Sequence, residues 1–199
     1  AAGYVESLAR PGGNVTGVVG PPVEIDLKRL QLLVEAVPGV SMVAVLGVFG
    51  GPRFWEPATR LLAVEVFSAT PVGFEGGFET ALARAIGRGA DALLARGGQG
   101  TAPNAELIGA LSARYRLPGI FPNRRFVEAG GLIAYAPRSS DVDRRGADYV
   151  DRILRGARPA DLPVELPARY DLIVNMRTAR ELGIRFPQSF FAQVDEVIE

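Results

Sequence analysis

The chain has no cysteine and no histidine. Disulfides, thiolate nucleophiles, Cys or His metal sites and every catalytic scheme built on an imidazole are excluded. The lack of cysteine leaves the compartment open, since it suits an exported protein as well as a cytosolic one. Lysine is nearly missing too. Lys28 is the single one, so arginine supplies almost all the positive charge, a bias of composition rather than a site. Basic and acidic residues number 22 each, and with no excess of either sign nothing points to nucleic acid or to an acidic membrane surface. No apolar run approaches the roughly 20 residues that span a bilayer. The chain opens on Ala1-Ala2-Gly3 without Met, which reads as a processed or trimmed product whose signal segment would not be seen.

What is present suits a folded α/β protein. With 48% hydrophobic residues in 199 positions there is material for a core, and the length fits one domain, or one lobe plus part of another. The strongest signal is Ser41-Met-Val-Ala-Val-Leu46. Its apolar run, with two β-branched valines, predicts a strand buried on both faces. Gly47-Val-Phe-Gly50-Gly51 comes directly after it and lets the backbone turn sharply and approach a ligand. In open parallel sheets ligands bind outside the carboxyl ends of the strands, so this strand and loop become the floor and rim of a candidate site.

The other elements fall in order around it. Arg10–Asn14 is a turn cluster, and Val15–Val19 predicts a short strand. Leu27, Leu30, Val34 and Val37 make one helical stripe, ended by Pro38-Gly39. Pro57–Leu62 predicts only a short helix, and Ala63–Phe67 a second strand. Phe78, Leu82, Ala85 and Ile86 mark the next helix, Asp91–Ala95 a third strand, and Arg96–Gly100 a second flexible loop. Pro103 opens a helix whose stripe is Leu107, Ile108, Leu111 and Tyr115. Pro118–Phe121 and Gly131–Tyr135 predict two more strands, with Asn123 capping a helical turn through Glu128 between them. Strand alternating with helix argues a Rossmann-like parallel sheet with helices on both faces. From 137 the character changes. Ser139 or Ser140 can cap a longer helix with Val142, Tyr149, Val150, Ile153 and Leu154 on its apolar side, and Pro159, Pro163 and Pro167 break the next stretch into extended pieces. Tyr170–Val174 reads as a last strand, Asn175 and Gly183 bound a short helix, and the tail reads as irregular.

Loop residues at the carboxyl ends of these strands are the candidate ligand contacts. Gly47 and Gly50 offer close backbone approach, and Phe49 can stack on an apolar or aromatic solute. Phe54 and Trp55 share that option, but have a plainer reading as cover for the short helix. Gln99 and Thr101 lie after the third strand and Asn123 after the fourth; helix capping is the alternative for Thr101 and Asn123. Tyr135 sits where the chain leaves the lobe, lining the hinge side of a cleft or packing the hinge. Arg53 could take a carboxylate or simply face solvent. The glycines at 47, 50 and 51 and at 97, 98 and 100 do not fit G-x-G-x-x-G, and Phe67-Ser68 stands where a dinucleotide fold needs an acid, so no cofactor is expected. The acid pairs Asp141/Asp143 and Asp195/Glu196 read as solvated, Glu128 as an i, i+4 partner of Arg124, and none as a catalytic dyad or a metal site.

In order along the chain, Ser7-Leu-Ala-Arg-Pro-Gly-Gly-Asn-Val-Thr-Gly17, Val37-Pro-Gly-Val, Val43-Ala-Val-Leu46, Ala90-Asp-Ala-Leu-Leu94, Arg116-Leu-Pro118, Phe126-Val-Glu-Ala-Gly-Gly-Leu132, Tyr149-Val-Asp-Arg-Ile-Leu154, Pro159-Ala-Asp-Leu-Pro163 and Ala192–Glu199 resemble the C-terminal part of a family of ABC-transporter substrate-binding proteins. The resemblance implies a type I periplasmic binding protein fold, two Rossmann-like lobes with the chain crossing between them several times. Most of the first lobe would precede Ala1. Residues 1–16 would then be a crossover, 17–136 the ligand-binding lobe, and 137–199 a segment returning to the first lobe. The loop after Leu46 departs from the family's usual Asn-Pro turn, and the connection from Leu46 to Ala63 is shorter than usual. The implied function is binding of a small organic solute, amino acid-like or a small carboxylate, in an interlobe cleft, for delivery to an ABC permease. No catalysis, cofactor, metal or nucleic acid is implied, and the location is periplasmic or otherwise extracytoplasmic. The apolar stripe ending at Ile153 and Leu154 would favour self-association. Two alternatives remain at this stage, a Rossmann-type enzyme and an isolated α/β lobe with an interaction role only.

Overall fold

Strands form where apolar residues run together, and their alternate side chains divide between two cores. A computed structural model describes residues 3–47, 50–70, 77–98 and 100–199. Within it the run after Ser41 is strand β1 (Met42–Leu46). Val43 and Val45 enter one buried cluster and Ala44 and Leu46 the other, the period of two that a strand imposes. The same division holds for β3 (Ala92–Ala95), with Ala92 and Leu94 on one face and Leu93 and Ala95 on the other. Helices α1 (Ile25–Ala36) and α2 (Pro52–Leu62) supply Leu30, Leu33 and Trp55 to the first cluster. Helices α3 (Phe78–Gly87), α4 (Ala105–Arg114) and α5 (Arg124–Glu128) supply Leu82, Ile108 and Phe126 to the second.

With β2 (Glu65–Ser68), β4 (Gly119–Phe121), β5 (Ile133–Pro137), β6 (Tyr170–Asn175) and β7 (Glu196–Ile198), the sheet has seven strands in the order β2-β1-β3-β4-β5-β6-β7. Parallel pairing is set by Val43 opposite Val66, Val45 opposite Leu94, Leu94 opposite Ile120, Ile120 opposite Ile133, and Val174 opposite Val197. The expected α/β parallel sheet with helices on both faces is therefore what forms.

The chain divides into two compact units, residues 24–136 with 171–199, and residues 1–23 with 137–170. The lobe expected from the sequence ends at 136. In the structure residues 171–199 add β6, α7 (Met176–Leu182), α8 (Gln188–Phe191) and β7 to the same sheet. Their tail is ordered where irregularity was expected: Asp195 accepts from the Leu172 amide at 2.8 Å, and Phe190 is buried. Asn175 caps α7 as expected, accepting from the Thr178 amide at 2.9 Å, and Gly183 closes it in the left-handed conformation.

Local differences have local causes. Helix α2 starts five residues before Pro57, because Pro52 presets its first turn and buried Trp55 anchors it. Ala63 ends α2 at a φ of 54°, which delays β2 to Glu65. On α4 the buried face is Ala105, Ile108, Gly109, Leu111 and Ser112, so Leu107 turns outward, 46% exposed.

In the other unit, Val15–Val19 makes no strand, only a parallel bridge from Val18 to Glu165. Helix α6 (Ser139–Leu154) takes Arg138 as its N-cap, leaving both serines inside the first turn. Of its expected stripe, Tyr149 is buried and donates its hydroxyl to the Pro163 carbonyl at 2.5 Å, while Val150 and Leu154 are 58% and 82% exposed. Arg145 of α6 grips Glu165 through two bonds of 2.6 Å. The guanidinium holds the Glu165 carboxyl below its ordinary value of 4.5, burial opposing it. A lowered folded value means that the stabilisation is complete above pH 4.5 and is lost as pH falls through the folded value. Wild type is expected to exceed Glu165→Gln in stability by a constant margin from about pH 8 to about pH 5, a margin that shrinks on further acidification. Urea melts of both proteins along that pH series check it.

Candidate functional site

The chain winds outward from β1 in both directions, to β2 on one side and β3 on the other. That reversal places a topological switch point at the carboxyl ends of β1 and β3, where an open sheet leaves a crevice. Gly47 follows β1 there, and Arg96 follows β3. Helix α1 leads into the amino end of β1, so its first turn lies at the same carboxyl edge, and that turn carries Asp26.

Three charged side chains meet at this edge and are buried. Asp26, Arg29 and Arg96 are 3%, 2% and 8% exposed. Arg96 Nε donates to Asp26 Oδ2 at 2.5 Å, and Arg29 Nη1 donates to Asp26 Oδ1 at 2.7 Å. Each carboxylate oxygen thus receives one guanidinium, and the low dielectric strengthens both bonds relative to water. Arg29 Nε continues the chain of bonds to the Tyr135 carbonyl at 2.9 Å, tying α1 to β5. Burial raises the Tyr135 phenol above its ordinary value, against the pull of the Arg29 charge, so the phenol is neutral at pH 7.

Four expected contact residues converge on this cluster. Gly47 is buried at a φ of 104°, and a Cβ there would stand 3.1 Å from Arg96 Cβ, so only glycine lets the two strand ends approach this closely. Thr70 Oγ1 donates to the Gly47 carbonyl and pins the bend. Gly50, exposed at a φ of 77°, presents its bare α-carbon to Arg96 Nη1 and the Phe54 ring. Thr101 is buried and donates to the Arg96 carbonyl, an anchor for the loop and not a helix cap. Tyr135 joins through its carbonyl. Asn123 stands apart, its Oδ1 accepting from the Arg125 amide at 2.8 Å as the cap of α5. Phe49 and Gln99 lie outside the described residues.

The remaining candidates separate. Trp55 is core, 1% exposed, in edge-to-face contact with Phe54 at 4.9 Å. Phe54 is half-buried with the Arg96 guanidinium 5.5 Å from its ring centre. Arg53 is exposed. Arg124 pairs with both Glu128 and Glu196, and Asp141 with Arg169, all near the surface. Among the described residues no three His, Cys, Asp or Glu side chains are grouped to hold a metal ion, and no helix is long and apolar enough to cross a membrane.

Sequence reading missed Asp26, Arg29 and Arg96. One signal was available: Asp26 and Arg29 stand at i and i+3 on the face that also carries Leu30, Leu33 and Ala36.

Residues 82–198 match the model of a family described as ABC transporter substrate binding protein. No curated protein matches the chain. Among solved structures, an ABC domain in complex with L-Trp from Streptococcus pneumonia superposes with a TM-score of 0.80 at 22% identity, over 98% of this chain and 68% of that one. A conserved domain protein from Vibrio cholerae gives 0.81 at 23% identity, over 97% and 66%. A substrate binding protein with adhesive properties from Clostridium difficile, ligand-free and open, gives 0.65 at 21%, over 99% and 67%. The chain spans about two thirds of the length of each of these structures, and at such identities they speak for the fold alone. The family match, in contrast, takes in more than half of the chain and includes β3, the arginine that ends it and strands β4 to β7 of the same sheet, so the chain belongs to the ABC transporter substrate binding protein family.

Proposed function

We propose that this chain is the receptor part of an ABC importer, working outside the cytoplasm, and that it binds a small organic solute of amino acid or carboxylate type without chemically changing it. The carboxyl edge of the sheet is one wall of the solute site. On this reading Gly47, Gly50, Thr101 and Tyr135 belong to that wall. The observation that carries the reading is the buried Asp26–Arg96 pair at the switch point, beside the exposed, side-chain-free Gly50. The L-Trp bound to the Streptococcus structure is of the same solute class. Trapping of the solute requires that the closed form bind it more tightly than the open one, and the loaded form is what a permease recognises.

The test is thermal-shift and calorimetric screening of the full-length protein against the twenty amino acids, small mono- and dicarboxylates, and sugars as a contrasting set. A true ligand at about 100 times its Kd stabilises the folded state by about 2.7 kcal/mol. At least one amino acid or carboxylate is expected to do so and to be recovered unaltered after incubation. Stabilisation by none of the panel, or conversion of the bound compound, would overturn the proposal.

A further inference from the structure

Strand β2 is an outer strand of the sheet, and among the described residues β1 is its one neighbour. The Glu65 and Ala69 amides donate inward, to the Ser41 and Val45 carbonyls at 2.8 Å each. With a period of two, Val66 and Ser68 turn their N–H and C=O groups outward, away from β1. Such an edge is a template for another strand, and a charge on it is the usual guard. Here that charge is Glu65, which is exposed and, among the described residues, pairs with no cation. The register of Met42 with Glu65 and Ala44 with Phe67 sets Glu65 on the same face as Phe67, the face that α3 covers. On that face a hollow of about 240 Å³ lies between β2 and α3, with Phe67 and Ala69 on the strand side and Arg84 and Arg88 on the helix side. Both arginines are exposed, and among the described residues neither meets a carboxylate. Arg88 lies over the Phe67 ring, 4.2 Å from its centre.

We infer that β2 pairs antiparallel with β2 of a second copy of this chain about a two-fold axis, and that Glu65 of each copy enters the Arg84–Arg88 hollow of the other. One register satisfies every outward group. With Val66 of each copy opposite Ser68 of the other, the outward N–H and C=O groups of all four residues are exchanged as hydrogen-bonded pairs. That register sets Glu65 opposite Ala69 of the second copy, and directly opposed side chains of an antiparallel pair share a face. Ala69 lines the hollow, so the carboxylate arrives beside two guanidiniums that lack one. The two-fold axis makes the contact twice, as a self-complementary surface requires. The charge that guards the edge thereby selects its partner: a strand without a basic hollow beside it would leave Glu65 desolvated and unpaired. The other face of the edge is open as well, with a hollow between β2 and α2 lined by Glu56, Thr59 and Val66. None of these residues lies among the solute contacts proposed above, so the pairing stands or falls apart from the receptor role.

Sedimentation velocity of the full-length protein over a concentration series tests the pairing. A monomer–dimer equilibrium with a Kd on the order of 10 µM is expected, the weak range of small interfaces. Glu65→Arg brings like charges together in the hollow and is expected to weaken the dimer about 10-fold or more, and Arg84→Glu with Arg88→Glu is expected to do the same. Each of these variants alone is then monomeric where wild type is largely dimeric. An equimolar mixture of the two is expected to form a one-to-one heterodimer, because both contacts regain opposite charges. Ser68→Pro removes an outward amide, leaves the ladder to β1 intact and is expected to weaken the dimer as well. All the substituted residues are exposed, and circular dichroism verifies that each variant keeps the fold. Wild type that stays monomeric well above that Kd overturns the inference. So does a dimer that survives both charge variants, such as one held by the exposed Val150 and Leu154 of α6. A mixture that fails to associate although its parents have dissociated overturns it too.

Discussion

Asp26→Ala is expected to destabilise the protein by about 3–5 kcal/mol, the cost of stranding buried charge. The substitution removes the carboxylate that two guanidiniums share, and the three side chains concerned are 5%, 2% and 10% exposed. Water has little access to make up the loss, and salt screens buried charge only weakly. The loss should therefore persist in 0.5 M sodium chloride, roughly five times the ionic strength at which surface pairs are already largely screened. Glu56→Ala provides the contrast. Its partner Arg60 is 79% exposed and the pair is an i, i+4 contact on a helix surface, so the change should be under about 0.5 kcal/mol. Guanidinium chloride or urea melts with unchanged slopes measure both. Replacing the whole cluster, Asp26→Leu with Arg29→Met and Arg96→Met, should recover most of the stability lost by Asp26→Ala, because apolar groups of similar volume commonly do as well as a buried ion cluster. A cost below about 1 kcal/mol for Asp26→Ala would mean that the carboxylate is not desolvated as its burial indicates. On that expectation the intact cluster adds little net stability, although the loss of its carboxylate alone is costly.

That cluster was the part of the site least legible in the sequence, and the reason is physical. Periodicity ranks side chains by hydrophobicity, so the stripe read on α1 was Leu27, Leu30, Val34 and Val37, of which Leu30 is fully buried and the other three only partly. The true inner face includes Asp26 and Arg29, whose burial is allowed by their pairing and is invisible to any hydropathy pattern. Arg96 was hidden in another way, as one arginine in a chain where nearly every base is arginine. The legible parts came from backbone rules. Continuous apolar runs gave β1 and β3, and Asn123 and Asn175 announced the caps they make. The bend after Leu46 was legible for the same reason: a strand that ends in glycines has nowhere to go but round a turn. The three-residue β7 was not legible, because it is too short to show a period of two and its partner is 23 residues back in register, Ile173 against Glu196.

The second large effect concerns two glycines on helices, for which the same substitution should have opposite signs. Gly109 lies on the buried face of α4, and a Cβ there would sit 2.3 Å from the Phe126 carbonyl oxygen and 3.0 Å from Ala129 Cβ. That carbonyl is not free to swing away, since it accepts the Gly131 amide at 2.8 Å at the turn that leads into β5. Backbone must move, not a flexible side-chain end. Alanine gains about 1 kcal/mol over glycine from helix preference, but overpacking against fixed backbone outweighs it, and Gly109→Ala is expected to lose about 2–3 kcal/mol net. Gly146 lies within α6 with nothing within 4 Å of where its Cβ would stand. Gly146→Ala keeps the whole helix gain and is expected to stabilise by about 0.5–1 kcal/mol, in part by restricting the unfolded chain. Chemical denaturation of the two single variants decides the matter by sign alone. Stabilisation by Gly109→Ala would mean that α4 and α5 do not approach as closely as the contact between Gly109 and Phe126 requires, and with that the support under β4 and β5, on which the far side of the proposed binding edge rests, would have to be redrawn.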